Sequence, residues 1–278
     1  MPACPYCSSS DLTRDGHDQR GRVVYACSVC GRHATSESTS LMAGHRFPRD
    51  VILLAVRYYL QLGAAAERSA GILADRGIDV SGRTILSWVQ KFGPALSDEI
   101  RRYRQPVSTT WLVDETYVRI QGKWHYLYRG IDQDGRVLDC WLSRTRDLAA
   151  AEAFFRRTIS STGCTPEHVV TDKAAFYPSA IRTYAPGARH TATRFYNLVI
   201  STNRCERNHG YVKSRIRPMR GLKSFACATR LFPTLDALQL VERDFVHVPL
   251  VGAPCTGGRS SVRARHIASV ISRLGRTL

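Results

Sequence analysis

The chain has 278 residues, of which 44% are hydrophobic and 23% are charged, a composition typical of a folded protein rather than a disordered one. It carries 40 Lys and Arg against 23 Asp and Glu, which gives a formal net charge of +17. So large an excess favours a polyanionic partner, most often nucleic acid, although codon bias explains the preference for Arg over Lys equally well. The sequence predicts neither a membrane span nor a secretory signal, because no apolar run is long enough.

The nine cysteines are distributed unevenly, and four of them form two pairs near the N-terminus. The pairs are Cys4 with Cys7 and Cys27 with Cys30, each with the spacing C-x-x-C. Four thiolates at this spacing predict a tetrahedral structural Zn²⁺ site in a small zinc ribbon, residues 1–40. Redox cysteines or disulfides are the alternative, but the other cysteines are scattered singly, as expected in a reducing compartment such as the cytoplasm.

Helical periodicity in residues 45–104 predicts three short helices. The third begins after Ser81, a suitable N-cap, and we expect Pro94 to end it before a linker helix, Ser97–Arg104. One face of the third helix is apolar, and the opposite face carries Arg83, Ser87, Gln90 and Lys91. This pattern predicts a helix-turn-helix that binds DNA through the polar face, and the alternative is a helical connector with a solvated face.

Residues 105–248 alternate between strand and helix patterns. Three consecutive strands are predicted, then a helix, a short buried strand at His168–Thr171, another helix and a strand near Arg189. A basic helix over Asn203–Arg217 and one more helix complete this region. The order predicts an α/β domain of the RNase H-like class, a mixed sheet flanked by helices. The segment 249–278 is a basic C-terminal tail.

Three carboxylates in this region are placed to converge. Asp114 lies in the first predicted strand, Asp172 follows the strand His168–Thr171, and Glu206 lies early in the basic helix. A single Asp in a strand is more often a structural hydrogen-bonding residue, but three converging carboxylates suit a pair of Mg²⁺ ions, with Mn²⁺ as a substitute. Such ions serve phosphoryl transfer. Glu115 points to the opposite strand face and is left out of the predicted site.

The predicted basic helix carries further candidate groups. Lys213 lies nearly two turns after Glu206 on the same face, where it is suited to hold a DNA phosphate. His209, one turn from Glu206, is a candidate to orient a metal ligand or the scissile phosphate, and the alternative is a surface histidine. Asp139 is expected in a turn or at the surface. Phosphate contacts are predicted for Lys173, Arg204, Arg207, Arg215 and Arg217.

These motifs resemble the DDE transposases of the IS6 family of insertion sequences. The matching motifs are the segment from Asp114 to Arg129, Thr171-Asp-Lys173, Asn203-Arg-x-Glu-x-Asn-His209 and Lys213-x-Arg-x-Arg-Pro-Met-x-Gly-x-Lys-Ser-Phe225. Residue by residue, the resemblance implies that Asp114, Asp172 and Glu206 form the metal-binding catalytic triad and that Lys213 contacts DNA. The chain departs from the family in its zinc ribbon, which many members lack, in Leu222 where Phe is usual, and in Cys205. The basic tail has no assigned counterpart.

The resemblance implies a transposase that recognises terminal inverted repeats through its N-terminal region. Water is the expected nucleophile for nicking, and the freed 3′-hydroxyl is the expected nucleophile for joining to target DNA. Pairing two ends of double-stranded DNA implies a homo-oligomer, at least a dimer, associated with the nucleoid and not with a membrane. The alternative is a catalytically silent zinc-ribbon and helix-turn-helix regulator, but retention of all three carboxylates and Lys213 favours catalysis. No constellation typical of a Tyr or Ser recombinase is evident.

Overall fold

The structure, a computed structural model, describes residues 3–19, 21–35, 38, 44–192, 203–219 and 221–246. The predicted basic tail, 249–278, lies outside these residues. Among the helices described, none combines the length and the apolar character that crossing a bilayer requires.

A small antiparallel sheet forms the N-terminal unit. Its three strands are β1, Leu12–His17, β2, Val23–Cys27, and β3, His33–Ala34, in the order β1-β2-β3. Most of their residues are half-buried or exposed, because so short a segment cannot enclose a hydrophobic core. The turns of this unit instead bring the four N-terminal cysteines together.

Three helices follow the small sheet. They are α1, Arg49–Leu62, α2, Ala66–Ala74, and α3, Gly82–Arg102. Ser81 caps α3 as predicted, since its Oγ accepts a hydrogen bond from the backbone N–H of Thr84 at 3.2 Å. The predicted end at Pro94 is wrong, because α3 continues through this proline as one helix of 21 residues.

Tertiary packing explains why α3 does not end at Pro94. Proline removes one hydrogen bond to the preceding turn and crowds it, at a cost of about 3 kcal/mol. Phe92, Leu96 and Ile100, on both sides of the proline, are buried in one core. Burying a side chain of this size stabilises the fold by about 1.5–3 kcal/mol, so together they offset the loss. Most of the predicted linker helix, Ser97–Arg104, therefore belongs to α3.

The second sheet has five strands in the order β6-β5-β4-β7-β8. They are β4, Thr110–Ile120, β5, Lys123–Asp132, β6, Val137–Ser143, β7, His168–Thr171, and β8, Arg189–Ala192. β4, β5 and β6 pair antiparallel, whereas β7 pairs parallel with β4 and β8 pairs parallel with β7. The sheet is therefore mixed, as predicted, with β4 and β7 near its centre.

Helices cover both faces of the second sheet. They are α4, Leu148–Thr162, α5, Tyr177–Tyr184, α6, Asn203–Ile216, and α7, Phe225–Glu242, and a short 3₁₀ helix, Arg217–Met219, follows α6. Alternation along β4 separates the two faces: Trp111 and Val113 pack with α4 and α5, and Leu112 packs with α7. The predicted mixed sheet flanked by helices is confirmed.

The N-terminal helices share a hydrophobic core with the second sheet. Buried residues of α1 and α3 join those of β4, α6 and α7 in one cluster. Helix α3 meets α7 at Gly93, where an added Cβ would lie 2.9 Å from Oγ1 of Thr234. Arg101 of α3 pairs with Asp139 of β6 at 2.9 Å, and Asp139 also pairs with Arg157 of α4 at 3.0 Å. Asp139 is fully buried, which corrects its expected place in a turn or at the surface.

Candidate active site

Strand register brings two of the predicted carboxylates together at the carboxyl end of β7. The parallel pairing of β4 with β7 sets Leu112 opposite Val170. Continuing this register by two residues places Asp114 beside Asp172, and a carboxylate oxygen of each lies within 4.8 Å of the other. Their side chains are 21% and 27% exposed, so ions and ligands in solvent can reach both carboxylates.

Glu115 contributes a third carboxylate. Alternation does direct it to the other face of β4, where its side chain is only 2% exposed. One of its oxygens nevertheless lies within 4.8 Å of oxygens of Asp114 and Asp172. Leaving Glu115 out of the site because of strand alternation is therefore corrected. We call Asp114, Glu115 and Asp172 the acidic cluster.

Arg146 and Tyr177 hold the acidic cluster in place. Nε of Arg146 donates to Oε1 of Glu115, and its Nη2 donates to Oδ2 of Asp172 at 3.0 Å. The hydroxyl of Tyr177 donates to Oε2 of Glu115 at 2.5 Å. The sequence offered no signal for either residue, because Arg146 lies in the loop before α4 and Tyr177 begins α5. The guanidinium of Arg146 offsets part of the negative charge that is concentrated here, and the hydroxyl of Tyr177 stabilises Glu115 by a hydrogen bond.

The electrostatics of the acidic cluster favour a bound cation. Burial raises the pKa of Asp114 to about 7, and the charges of Glu115, Asp172 and Glu206 contribute to the same shift. Carboxylates that crowd one another disfavour their ionised forms, and a cation among them removes that penalty. Carboxylate oxygens are also the donors that hard divalent cations such as Mg²⁺ prefer. The residues present therefore fit a divalent metal ion.

His209 of α6 lies beside Asp114, with its Nδ1 3.7 Å from Oδ2. Burial lowers the pKa of His209 to about 3, with help from the positive charges of Arg129 and Lys213, so the imidazole is neutral. The side chain is 7% exposed, so the alternative of a surface histidine is wrong. Its Nε2 is buried and has no hydrogen-bond partner among the residues that the structure describes. A neutral ring of this kind is able to bond to a group that enters the site.

Helix α6 presents two different faces. Cys205, Asn208 and His209 are buried, whereas Glu206 and Lys213 are exposed. The carboxylate of Glu206 is not a member of the acidic cluster. Its charge nevertheless contributes to the raised pKa of Asp114, so Glu206 lies in the same neighbourhood.

A buried arginine anchors α6 to the sheet. Arg129 of β5 is 1% exposed, and its Nη1 donates to the backbone carbonyl of Asn208 at 2.7 Å. Its Nη2 donates to Oδ1 of Asp236 at 2.5 Å and to Oε1 of Gln239 at 3.1 Å. Arg129 therefore links β5, α6 and α7 at the level of His209.

The predicted phosphate-binding residues have different surroundings. Four are exposed: Lys173, Arg207, Lys213 and Arg217. Arg215 pairs with Glu242 at 3.3 Å and lies 4.8 Å from the ring centre of Tyr211, so it holds α6 against α7. The side chain of Arg204 lies outside the described residues.

The predicted DNA-binding face of α3 is exposed at three positions, Arg83, Ser87 and Lys91. Nζ of Lys91 lies 2.8 Å from Nε2 of His45. Gln90 is half-buried, and its Nε2 donates to the backbone carbonyl of Cys227 at 3.4 Å. Gln90 therefore faces α7 rather than the solvent-exposed surface predicted for it.

The four N-terminal cysteines converge as predicted. The Sγ atoms of Cys4 and Cys30 lie 3.7 Å apart, and those of Cys7 and Cys27 lie 3.5 Å apart. Sulfurs bound to one tetrahedral Zn²⁺ at about 2.3 Å are separated by about 3.8 Å. All cysteines in the described part of the chain are free thiols, so the disulfide alternative is not adopted there. The geometry fits a four-cysteine metal site.

Comparisons with known proteins agree with this arrangement. Residues 108–244 match a family described as a DDE domain. The chain is 35% identical to the Staphylococcus aureus transposase for insertion sequence-like element IS431mec over 175 residues, 61% of this chain and 75% of the relative. The S. aureus transposase for insertion sequence element IS257 in transposon Tn4003 shows the same 35% identity over 61% of this chain and 75% of its own length.

A distant structural likeness was also found. The solved intasome of simian T-cell lymphotropic virus, in complex with PP2A regulatory subunit B56 gamma, has 17% identity and a TM-score of 0.39. The alignment covers 56% of this chain and 60% of that chain. At this TM-score the likeness assigns no function, whereas the acidic cluster lies within the residues matched by the DDE domain.

Proposed function

The chain belongs to the IS6 family of DDE transposases and is a DNA transposase, and we propose that it cuts and joins DNA at insertion-sequence ends through the acidic cluster. The observation that carries this proposal is the meeting of Asp114 and Asp172 within 4.8 Å in the matched DDE domain. Asp114 lies in β4 and Asp172 directly follows the neighbouring parallel strand β7, so the sheet sets the spacing of the two carboxylates.

Asp114, Asp172 and Glu206 are the proposed metal ligands. We expect them to bind two Mg²⁺ ions, with Mn²⁺ as a substitute, because all three offer hard oxygen donors. When bound, such ions activate an attacking oxygen and stabilise a leaving one in phosphoryl transfer. Burial raises the pKa of Asp114 to about 7, and the neighbouring charges of Glu115, Asp172 and Glu206 add to the shift, which a bound cation would oppose. Glu115, held by Arg146 and Tyr177, adds to that charge from the buried side.

Other residues of the chain are proposed to position DNA. His209 stays neutral because its pKa is about 3, so it acts by hydrogen bonding and brings no extra positive charge beside Asp114. Exposed Lys173 and Lys213, near Asp172 and Glu206, are suited to neutralise phosphates on either side of the scissile bond. Water for nicking and a 3′-hydroxyl for joining are the proposed nucleophiles.

Recognition of the terminal inverted repeats is proposed for the N-terminal region. Residues 45–104 form the proposed helix-turn-helix, in which Arg83, Ser87 and Lys91 of α3 contact DNA. Residues 1–40 form the proposed zinc ribbon, and the 3.5 and 3.7 Å separations between cysteine sulfurs support a structural Zn²⁺ ion. Since so small a unit buries little apolar surface, the metal would supply most of its stability.

The proposed catalytic domain, residues 105–248, is of the RNase H-like class. The sheet order β6-β5-β4-β7-β8, with antiparallel strands on one side of β4 and parallel strands on the other, supports this assignment. A homo-oligomer, at least a dimer, is proposed because transposition pairs two ends of double-stranded DNA.

The proposal is tested by strand transfer in vitro. Purified protein is incubated with labelled terminal-repeat DNA and a supercoiled target, in Mg²⁺ or in EDTA. We expect joined product in Mg²⁺ only, and a loss of at least about 100-fold in Asp172→Asn, because one ligand of the reacting centre becomes neutral.

Asp98→Asn is the matched control, since Asp98 is exposed on α3 and the same substitution there should leave joining unchanged. Activity that persists in Asp172→Asn would contradict the assigned site. Binding of terminal-repeat DNA without nicking or joining, by both wild type and Asp172→Asn, would favour the silent regulator.

A further inference from the structure

The hairpin formed by β4 and β5 carries an exposed group of aromatic rings. Tyr117 and Trp124 are 53% and 61% exposed, far more than large aromatic side chains in a folded core. The ring centres of Tyr117 and Trp124 lie 6.2 Å apart, and those of Tyr117 and Tyr126 lie 5.2 Å apart. The guanidinium of Arg119 lies 6.0 Å from the ring centre of Trp124. We call Tyr117, Arg119, Trp124 and Tyr126 the stacking platform.

Cross-strand packing explains only part of the stacking platform, in which Tyr117 lies opposite Tyr126. Trp124 lies at the start of β5 and pairs across the hairpin with Arg119, but most of its surface remains open to solvent. Exposed rings that contact one another and an arginine are typical of surfaces that bind a planar ligand.

The position of the stacking platform relates it to the acidic cluster. Tyr117 follows Glu115 by two residues on the same strand face, a separation of about 7 Å. Stacked bases are about 3.4 Å apart along one strand, so that distance is close to two nucleotides. A DNA strand that has a phosphate at the acidic cluster and runs along β4 toward the hairpin tip would place its next bases at the platform.

The charge around the stacking platform fits a polyanion. Residues 116–126 of the hairpin contain no Asp or Glu, but they contain Arg119 and Lys123. At the hairpin tip, Arg119 and Lys223 line a cleft of about 430 Å³. Cations interleaved with aromatic rings are the combination that binds single-stranded nucleic acid.

We propose that the stacking platform binds unpaired bases of the DNA strand whose phosphate enters the acidic cluster. The proposal rests on the proposed function, because it takes the acidic cluster as the place of strand cleavage. Trp124 and Tyr117 stack on the bases, and Arg119 and Lys123 contact the backbone. The platform thereby holds an opened DNA end in place for reaction.

Binding in EDTA tests this proposal without any catalysis. Fluorescence anisotropy of the full chain is measured with a labelled duplex that ends in a short unpaired tail and with a blunt duplex of the same sequence. We expect tighter binding to the tailed DNA. Trp124→Ala should weaken binding to the tailed DNA about 10-fold and leave binding to the blunt DNA nearly unchanged. Trp124→Phe should retain most of the affinity, because it keeps a ring.

Leu62→Ala is the matched control, since Leu62 is 56% exposed and lies on α1. Equal affinity of wild type and Trp124→Ala for the tailed DNA overturns the proposal. Equal weakening on both DNAs also overturns it, since unpaired bases are then not the target. Dissociation of an oligomer in Trp124→Ala, with the preference for tailed DNA retained, overturns it in favour of a protein interface.

The same assay separates this proposal from the proposed function. Asp172→Asn should still prefer the tailed DNA, because stacking requires no metal and no chemistry. Absence of Mg²⁺-dependent joining together with a Trp124-dependent preference would reject the catalytic site and keep the stacking platform. The opposite outcome is Mg²⁺-dependent joining that Asp172→Asn loses, with no preference of the wild type for tailed DNA. It would keep the catalytic site and reject the stacking platform.

Discussion

Among single residues, Arg146 is the positive charge that stabilises the acidic cluster. It bonds to Glu115, whose side chain is 2% exposed, and to Asp172 at 3.0 Å. Arg146→Ala leaves the buried carboxylate of Glu115 without its charged partner. We expect the free energy of unfolding to fall by about 1–3 kcal/mol, at the lower end because the arginine side chain is itself partly solvated. Urea unfolding in EDTA measures this loss.

Mg²⁺ should compensate for the missing guanidinium. A cation bound at Asp114 and Asp172 relieves the same repulsion, so Mg²⁺ should raise the Tm of Arg146→Ala more than that of wild type. Arg156→Ala is the control, because Arg156 is exposed on α4. An identical Mg²⁺ shift in Arg146→Ala and wild type would show that Arg146 and the metal do not act on the same charges.

Some of these residues were predictable from local pattern and others were not. Asp114 and Asp172 were predicted to converge because Asp114 lies within an apolar strand and Asp172 directly follows another. Strand alternation placed Glu115 on the correct face of β4. Alternation describes only the direction of the Cβ atom, however, and the carboxylate at the end of the side chain lies within 4.8 Å of those of Asp114 and Asp172. Arg146 and Tyr177 reach the site from elements distant in sequence, so no spacing rule identifies them.

At the scale of helices and strands, Arg129 of β5 holds α6 in place. It is buried against Asp236 and donates to the backbone carbonyl of Asn208. Arg129→Met leaves Asp236 as an unpaired buried charge, which should lower the free energy of unfolding by about 3–5 kcal/mol. Strand transfer should also fall, because the turn of α6 that carries Glu206 and His209 loses its anchor. Urea unfolding and the joining assay measure the two effects.

A double variant separates stability from positioning. Arg129→Met combined with Asp236→Leu removes both charges, so it should recover much of the stability that the single variant loses. It should not recover strand transfer, since the carbonyl of Asn208 remains without its donor. Full recovery of strand transfer in the double variant would show that Arg129 contributes only to stability.

The strands were easier to predict than the helices. The three consecutive strands predicted at the start of residues 105–248 are present as β4, β5 and β6, whose side chains face two different helical layers. Helix α3 was cut short at Pro94, since a local rule for proline cannot include the contacts that Phe92 and Leu96 make with distant elements. The half-buried position of Gln90 has the same origin: α7 packs against α3 at that point.

At the scale of the whole molecule, the sequence pattern suggested a helical region and a sheet domain joined in series. The described residues instead place α1, α3, β4, α6 and α7 in one hydrophobic core. Composition could not reveal this, since apolar stripes show which face is buried but not which element covers it. A shared core predicts that the helices and the sheet unfold together, so the DNA contact proposed for α3 would be rigidly connected to the acidic cluster.

Asp139 provides the test of that connection. Burial opposes ionisation of Asp139, but the guanidinium groups of Arg101 and Arg157 outweigh it and hold its pKa below the usual value. A depressed pKa contributes stability above the unfolded-state value of about 3.9, and this contribution is lost as pH falls through the folded-state value. Asp139→Asn should therefore lower the free energy of unfolding by about 3–5 kcal/mol at neutral pH, because two cations lose their buried partner.

The pH dependence of this loss distinguishes an ion pair from simple packing. The difference in stability between wild type and Asp139→Asn should stay constant from about pH 7 to about pH 5 and narrow below about pH 4. Urea unfolding, followed by tryptophan fluorescence and circular dichroism in parallel, should show one coincident transition for both proteins. If Asp139→Asn does not fold, Arg157→Ala removes only one of the two ion pairs of Asp139 and should destabilise the protein less, since Arg157 is 40% exposed. Two outcomes would show that α3 and the sheet are not coupled through this carboxylate. One is a difference in stability that already narrows above pH 5, and the other is separate unfolding transitions for the helices and the sheet.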